Sequence, residues 1–433
     1  MSSLHIEKAV AVNPITQTGD TEAASNPAAT SGLDSFRSRR RWLILTLLLA
    51  ITIINFIDRQ TVSVLAPVLR AQLHLTNAQY GRVVAAFQFG MMSGEFPMGW
   101  LMDNWGVQLG LAGAVLWWSL ATAAQAATRS GLQLGVARFW MGTGESGNYS
   151  GGIKAIFRIF APAERTLAIG IFNTGSMVGA TIAPPLVVYL AQRYGFRTAF
   201  LVPASLGLFW VPLWIFIYRD KKPQEGNRTP SVSLRMLLRD SSSWAVMLCR
   251  FFIGPVMQFY WYWIPSYLYE ARHLSLRQVG FLGWIPFLLG DIGGIAGGWS
   301  AGWLQRRGVS IYNVRRITMY LSATLCLTSL SVPYLSNIAM AFVAIGVAML
   351  ADNFLSANMF GAVTDLFPDH VVGRAAGLTG VAGGLSGLLF PLLTGYLVDR
   401  YSYTPVFVLV AIMPLLGATA LFTIAIKYKQ QRA

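Results

Sequence analysis

Apolar stretches follow one another almost without pause, at about 42–69, 79–101, 109–128, 132–157, 166–191, 198–218, 244–269, 278–304, 314–333, 337–366, 372–397 and 403–426. A helix rises about 1.5 Å per residue and the hydrocarbon core of a bilayer is roughly 30 Å thick, so about 20 apolar residues make one crossing. Twelve such stretches predict an all-α integral membrane protein with twelve transmembrane helices. Lipid offers the backbone no hydrogen-bond partner, so each crossing must satisfy its own peptide groups as a helix, and glycine or proline inside it is tolerated. Charge agrees, because 12% of the 433 residues are charged, about half the share of a soluble domain. That scarcity excludes a large water-soluble body. The two cysteines, Cys249 and Cys326, sit in separate apolar runs without metal-ligand spacing and read as buried thiols.

The stretches fall into two sets of six, over residues 41–218 and 244–427, separated by a polar, basic loop at 219–243. Residues 1–40, rich in Ser, Thr, Ala, Asn and Pro, read as a disordered cytoplasmic tail and not a signal peptide, and residues 428–433 as a short cytoplasmic end. The two sets repeat each other. Ala168, Gly170, Pro184, Tyr189, Leu190, Arg193, Tyr194 and Phe200 reappear 207 residues later as Ala375, Gly377, Pro391, Tyr396, Leu397, Arg400, Tyr401 and Phe407. His74, Leu75, Gln79, Gly81, Gly99 and Trp100 reappear 199 residues later as His273, Leu274, Gln278, Gly280, Gly298 and Trp299. Both registers join the first six stretches to the last six, which predicts two six-helix bundles related as a parallel repeat. Basic residues concentrate in the links and ends that twelve crossings would put on the side of the termini, so the positive-inside rule places both termini in the cytoplasm. Much of the +15 net charge is thus a topology signal, and no nucleic-acid partner is expected.

Two such halves around a basic central loop resemble the major facilitator superfamily. Gly99-Trp-Leu-Met-Asp103-Asn104-Trp-Gly106-Val-Gln108 is similar to that family's loop between the second and third spans, with Asn104 and Gln108 replacing the two usual basic residues. Its second-half equivalent, Gly302-Trp-Leu-Gln-Arg306-Arg307-Gly308, has Gly302 where the acid would stand. Gly99, Asp103 and Gly106 therefore read as a gating loop. Asn55-Phe-Ile-Asp58-Arg59 in the first span, Arg138-Phe-Trp-Met-Gly142-Thr-Gly144-Glu145-Ser-Gly-Asn148 in the fourth and Phe160-Ala-Pro162-Ala-Glu-Arg165 after it resemble the anion:cation symporters, and within them the hexuronate and galactonate branch. Ser356-Ala-Asn358 in the tenth span and Arg250 in the seventh favour the hexuronate side. Met91 stands where many relatives have a tyrosine, and Gly380 where the galactonate branch has an asparagine.

An ionised side chain at the bilayer centre costs about 2.5–3.5 kcal/mol on insertion scales, so such groups face an interior or an aqueous path and pair there. Asp58, Arg59, Arg138, Glu145 and Arg250 are the deepest here, with Glu95, Lys154, Asp291 and Asp352 nearer helix ends or at unspecified depth. Arg138 and Glu145, seven apart, share one helix face, which Asn148 continues. Arg stays charged at any physiological pH and its planar fork matches a carboxylate. The resemblance implies that Arg59 and Arg250 approach an anionic substrate from opposite halves with Arg138 nearby. It also implies that Asp58 and Glu145 carry the proton, Glu145 alternating between protonation and an ion pair with the neighbouring Arg138. Gln88, Asn148, Asn173, Gln258, Tyr260, Tyr262, Ser356 and Asn358 are candidates to read sugar hydroxyls, with a helix-to-helix hydrogen bond the competing reading for each.

The resulting expectation is proton-coupled import of a sugar acid such as glucuronate, galacturonate or galactonate by alternating access. Aromatic acids, tartrate or another dicarboxylate, and phosphate remain open as cargo, and Na⁺ as coupling ion. His5, His74, His273 and His370 fall in the tail or at predicted helix ends, and no zinc spacing, GxSxG or Walker loop occurs, so neither an enzyme, a metal site nor an organic cofactor is expected. A monomer in a bacterial inner membrane is expected.

Overall fold

The computed structural model describes residues 27–219, 234–367 and 369–425, and the chain forms two compact units, Met1–Trp42 and Leu43–Ala433. In the first unit the described residues are helical, since α1 (Pro27–Val64) begins there. The helix thus begins within the stretch read above as a tail. A helix formed in the apolar run propagates backwards easily through Arg, Ser, Leu and Ala, and proline suits its first turn. The rest of that tail, residues 220–233 of the central loop and the 428–433 end lie outside the described residues.

The second unit continues with α2 (Ala66–Leu73), α3 (Asn77–Asn104), α4 (Gly106–Gln125), α5 (Gly131–Ile159), α6 (Pro162–Tyr194) and α7 (Thr198–Ile217). Then come α8 (Leu234–Arg239), α9 (Ser241–Tyr262), α10 (Ile264–Glu270), α11 (Leu276–Leu282), α12 (Ile285–Arg306) and α13 (Ile311–Leu325), the last prolonged by a 3-10 segment at Cys326–Tyr334. The described chain closes with α14 (Ile338–Leu366), α15 (Asp369–Arg400) and α16 (Thr404–Ile424). Proline marks the breaks: Pro67, Pro265 and Pro286 each open the first turn of α2, α10 and α12, where a missing N–H leaves no bond unmade.

Among the described residues, eight helical segments are long and apolar enough to cross a membrane. The others of comparable position fall short for an informative reason. α3 is diluted by Gln88 and Glu95, α5 by Arg138, Glu145 and Asn148, and α9 by Arg250 and Gln258, while α13 has 15 residues before its 3-10 prolongation. In α3, α5 and α9 it is interior polar residues that lower the average apolarity.

The repeated residues have repeated jobs. His74 and His273, with φ of 51° and 55°, are the non-glycine residues in the left-handed region among the described residues. Each ends the short helix or turn before a capping box, Thr76 with Gln79 and Ser275 with Gln278, whose side chains satisfy the first N–H groups of α3 and α11. Gly106 and Gly308 supply the positive φ of 81° and 82° that turns the chain after α3 and α12. α5 and α14 each have 29 residues and lie 207 apart at both ends. Cys249 and Cys326 are buried free thiols, as expected.

Hydrogen bonds between the sequence halves gather at the end where α2 meets α3 and α10 meets α11. Asp399 accepts the backbone N–H groups of Asn77 at 2.9 Å and Ala78 at 2.7 Å, so a carboxylate from α15 caps the N-terminus of α3. Arg70 pairs with Glu270, and Glu270 also accepts from the Tyr403 hydroxyl at 3.1 Å. One step deeper, Tyr80 donates to the Tyr262 carbonyl at 2.9 Å and Ser63 to the Trp261 carbonyl at 2.6 Å. Glycine permits this approach: a Cβ on Gly81 would fall against the Pro391 carbonyl oxygen, and one on Gly395 would come within 2.8 Å of the Ala78 Cα. Gly395→Leu should therefore wedge this end apart. Overpacking of this kind costs about 1–3 kcal/mol, roughly a 5–150-fold shift of a two-state equilibrium, and labelling of a cysteine placed at Ala78 by a bulky maleimide should rise accordingly.

Candidate functional site

The first half of the site is built where α1, α3 and α5 pack closest. Gly142 on α5 has no side chain because one would strike the α3 backbone, coming within 2.9 Å of the Met91 nitrogen. Gly144 meets α4 the same way, 2.9 Å from the Trp118 nitrogen. These small residues let three helices approach closely, as membrane interfaces do, and they carry Arg138 and Glu145 into a region where both are buried. The glycines of the fourth-span motif are thus the reason its charges sit deep.

Glu145 does not pair with Arg138, although the two share a helix. Its Oε2 accepts the Arg59 Nε hydrogen at 2.6 Å, with the Glu145 side chain fully buried and that of Arg59 16% exposed. This corrects the expected partner. Residues seven apart on one helix stand two turns, about 10.5 Å, from each other, whereas α1 delivers Arg59 alongside Glu145 directly. Arg59 also lies over two rings, its Cζ 4.8 Å from the Phe56 centroid and 5.5 Å from that of Phe87. The Arg138 Cζ stands 4.3 Å from the same Phe87 ring. Phe87 is therefore shared by two guanidiniums, and its quadrupole offsets part of the loss of water around each.

Arg138 is completely buried, and its Nε and Nη2 have no hydrogen-bond partner; its Nη1 reaches only the Met141 sulfur at 3.4 Å. Asp58 is equally buried, and neither of its carboxylate oxygens has a partner. Asp58 feels Glu145 and Arg138 as its charged neighbours, with the Trp118 indole beside it. A buried cation with free donors and a buried acid with free acceptors, grouped around an ion pair, is a site with hydrogen-bonding capacity in reserve.

The second half faces it across Gln88. The Gln88 amide donates to the Gln258 Oε1 at 2.9 Å and reaches the Tyr262 hydroxyl at 3.5 Å, which ties α3 to α9 at mid-depth. α15 presents glycine to this region. A Cβ on Gly387 would be 3.0 Å from the Gln258 Nε2, one on Gly383 would be 2.8 Å from the Arg250 Nε, and one on Gly380 would meet nothing within 4 Å. Arg250 has its Cζ 5.5 Å from the Phe360 ring and has Asp352 as its opposing charge.

Other expected residues are placed elsewhere. The Tyr260 hydroxyl is hydrogen-bonded to Ser329 at 2.6 Å, inside the second half, because on a helix Tyr260 points about 200° away from Tyr262. Asn358 is consumed by structure: it accepts from Arg315 at 3.1 Å and donates to the carbonyls of Gly297 at 3.2 Å and Phe354 at 3.0 Å, while Arg315 holds Asp365 at 2.7 Å. Asn148 donates to Thr52 at 3.2 Å beside the first-half site. Ser356 is half-buried on α14 and Asn173 exposed on α6. In the expected gating loop Asp103 pairs with Lys154 of α5 at 2.6 Å, and Lys154 also reaches the Gly99 carbonyl at 3.5 Å. Gln108, in place of a basic residue, donates to the Ile215 carbonyl at 2.8 Å, and Asn104 to the Trp100 carbonyl at 2.8 Å. Phe87 is the participant that sequence reasoning missed, and nothing in a single sequence singles it out. Asp352, read there only as a charge near a helix end or of unspecified depth, is buried at 2% exposure.

The sequence pattern described as Major Facilitator Superfamily matches residues 48–347 and 301–432. The chain belongs to the major facilitator superfamily. Among characterised relatives, the hexuronate transporter of Escherichia coli (strain K12) is 30% identical over 404 residues, covering 89% of this chain and 94% of that one. The galacturonate transporter of Dickeya chrysanthemi is 28% identical over 305 residues, covering 66% of this chain and 88% of the relative. A solved bacterial homolog of the human lysosomal transporter Spinster, in an inward-facing and occupied conformation, superimposes with a TM-score of 0.71 at 17% identity, over 90% of this chain and 96% of that one. The chain is thus a multi-span all-α membrane protein of a carrier family related to sugar-acid transporters, and not an enzyme. Asn358→Ala should strand Arg315 and the Gly297 carbonyl, at about 1–3 kcal/mol. A lowered melting temperature with ligand affinity unchanged would verify its structural role.

Proposed function

We propose that this protein is a secondary carrier that imports a sugar acid, a hexuronate or an aldonate such as galactonate, together with protons, through twelve spans arranged as two six-helix bundles. The observation that carries the reading is the Arg59–Glu145 ion pair standing beside an unpaired Arg138 and an unpaired Asp58, all in one buried region. The relatives' names point the same way.

The chemistry follows from charge balance in a low-dielectric site. The cargo's carboxylate needs cations that are not already neutralised: Arg138 offers free N–H donors for it in the first half, and Arg250, beside the bare face at Gly383, approaches it from the second. Arg59, partly open to solvent where Glu145 is not, becomes a second ligand once Glu145 takes a proton and releases it. Protonation of Glu145 and Asp58 keeps the site near neutral as the anion enters, which lets the loaded carrier rearrange without moving an unbalanced charge through the membrane. Gln88, Gln258 and Tyr262 supply amide and hydroxyl groups for the sugar hydroxyls, and their mutual hydrogen bonds, which span the halves, are the ones cargo would exchange. The open space at Gly380 and the bare face at Gly383 and Gly387 leave room beside them.

With the termini in the cytoplasm, as the basic residues indicate, the end closed by Arg70, Glu270, Asp399 and the N-terminus of α3 faces outward. The two halves then rock about the site, breaking these bonds to admit cargo from outside.

The test is uptake of radiolabelled D-glucuronate by purified protein in liposomes under an imposed pH gradient. Glu145→Gln, which mimics the protonated acid, should keep exchange of internal for external cargo and lose accumulation driven by the gradient. If accumulation in that variant still follows the gradient, the coupling assignment is wrong. Arg138→Ala should weaken equilibrium binding by about 2 kcal/mol or more, roughly thirtyfold, as measured by isothermal titration.

A further inference from the structure

The equal lengths of α5 and α14 and their constant offset of 207 put Glu145 and Asp352 at the same place, the middle residue of each helix. Both are acids, although most neighbouring positions differ. Glu145 holds an arginine from the first long helix of its half. Asp352 is 2% exposed, its Oδ1 has no hydrogen-bond partner, and the charge acting on it is Arg250, from α9, the first long helix of its own half. The remaining groups felt around it are Tyr260 of α9 and Cys326 of the 3-10 segment, and the Tyr260 hydroxyl is already bonded to Ser329. Among the described residues, Arg250 and Asp352 are the charges of the second half's interior that act on each other without being in ion-pair contact, while Arg315 and Asp365 nearby are paired at 2.7 Å.

A buried carboxylate and a half-buried guanidinium that stand apart make an arrangement with two better states, contact with each other or contact with something between them. We propose that Asp352 is the counter-charge of Arg250, the second half's equivalent of Glu145. It takes the guanidinium when the site is empty and yields it to the carboxylate of the cargo. In this role Asp352 is a positioning residue that competes with cargo for Arg250 and does not touch cargo itself. The inference rests on the anion-carrier reading above.

A competitor has a signature that a packing group lacks, because two substitutions act in opposite directions. Asp352→Asn removes the competing charge, so D-glucuronate should bind several-fold tighter, while net uptake slows because release from Arg250 slows. Asp352→Glu lengthens the acid by one methylene and closes the gap, so binding should weaken several-fold. Equilibrium binding and initial uptake rates are measured on wild type, both variants and Arg250→Ala, with melting temperatures recorded for each and D-galactonate as a second probe. Opposite shifts for Asn and Glu, both absent in the Arg250→Ala background, support the proposal. If both variants weaken binding, Asp352 is a direct ligand or a packing group; if neither moves it, the pair has no part in binding; either result overturns the proposal. Should Asp352→Asn fail to fold, weakened binding in Asp352→Glu that vanishes with Arg250→Ala supports it, and unchanged binding there overturns it. A wild-type protein that binds neither probe while remaining folded refutes the anion-carrier reading itself, and the inference with it.

Discussion

Everything near the centre of this protein depends on keeping a few charges out of water inside a chain that has little else polar to offer them. The Arg59–Glu145 pair is the clearest solution, a contact of 2.6 Å between a fully buried carboxylate and a guanidinium that keeps one edge exposed. Glycine packing brings α5 against α3 backbone to backbone, and the Phe87 ring of α3 lies beside both Arg59 and Arg138. A buried pair like this is a poor device for stability, since apolar residues of similar volume serve at least as well. On the carrier reading proposed above, its value lies in being breakable by a proton or by a competing anion.

The duplication gives the molecule a symmetric scaffold on which the chemistry is unequal. The hinge elements are copied closely: a left-handed histidine, a capping box and a glycine turn recur in both halves. The interior charges are copied in outline only. The first half carries Asp58, Arg59, Arg138 and Glu145, while the second has Arg250 and Asp352, together with the amide of Gln258. Backbone devices that set turn geometry recur with only a Thr76-to-Ser275 exchange because their job is conformational.

Much of the fold was legible before any coordinates. That the chain is an all-α protein of many membrane spans could be read because the length of an apolar run and its helical form follow from the bilayer's thickness and its lack of hydrogen-bond partners. The charged residues of the site were legible for the same reason, since Asp58, Arg59, Arg138, Glu145 and Arg250 are conspicuous in apolar surroundings. Less could be read of the neutral polar residues. Tyr260 and Asn358 look like ligands in the sequence, yet each is spent on a neighbour, Ser329 in one case and Arg315 in the other.

The sequence by itself determined which segments enter the membrane and which charges must find company there, because hydrophobic length and the penalty on an isolated ion are properties of composition along one dimension. Only the tertiary structure decided who keeps company with whom. Glu145 chose Arg59 from another helix over Arg138 on its own, because partners in an ion pair are selected by distances between helices. Asp352 passed from a residue of unspecified depth to a buried acid whose Oδ1 has no hydrogen-bond partner. Pairing is set by how helices pack, and packing depends on small residues far apart in the chain whose effect appears only when their backbones meet.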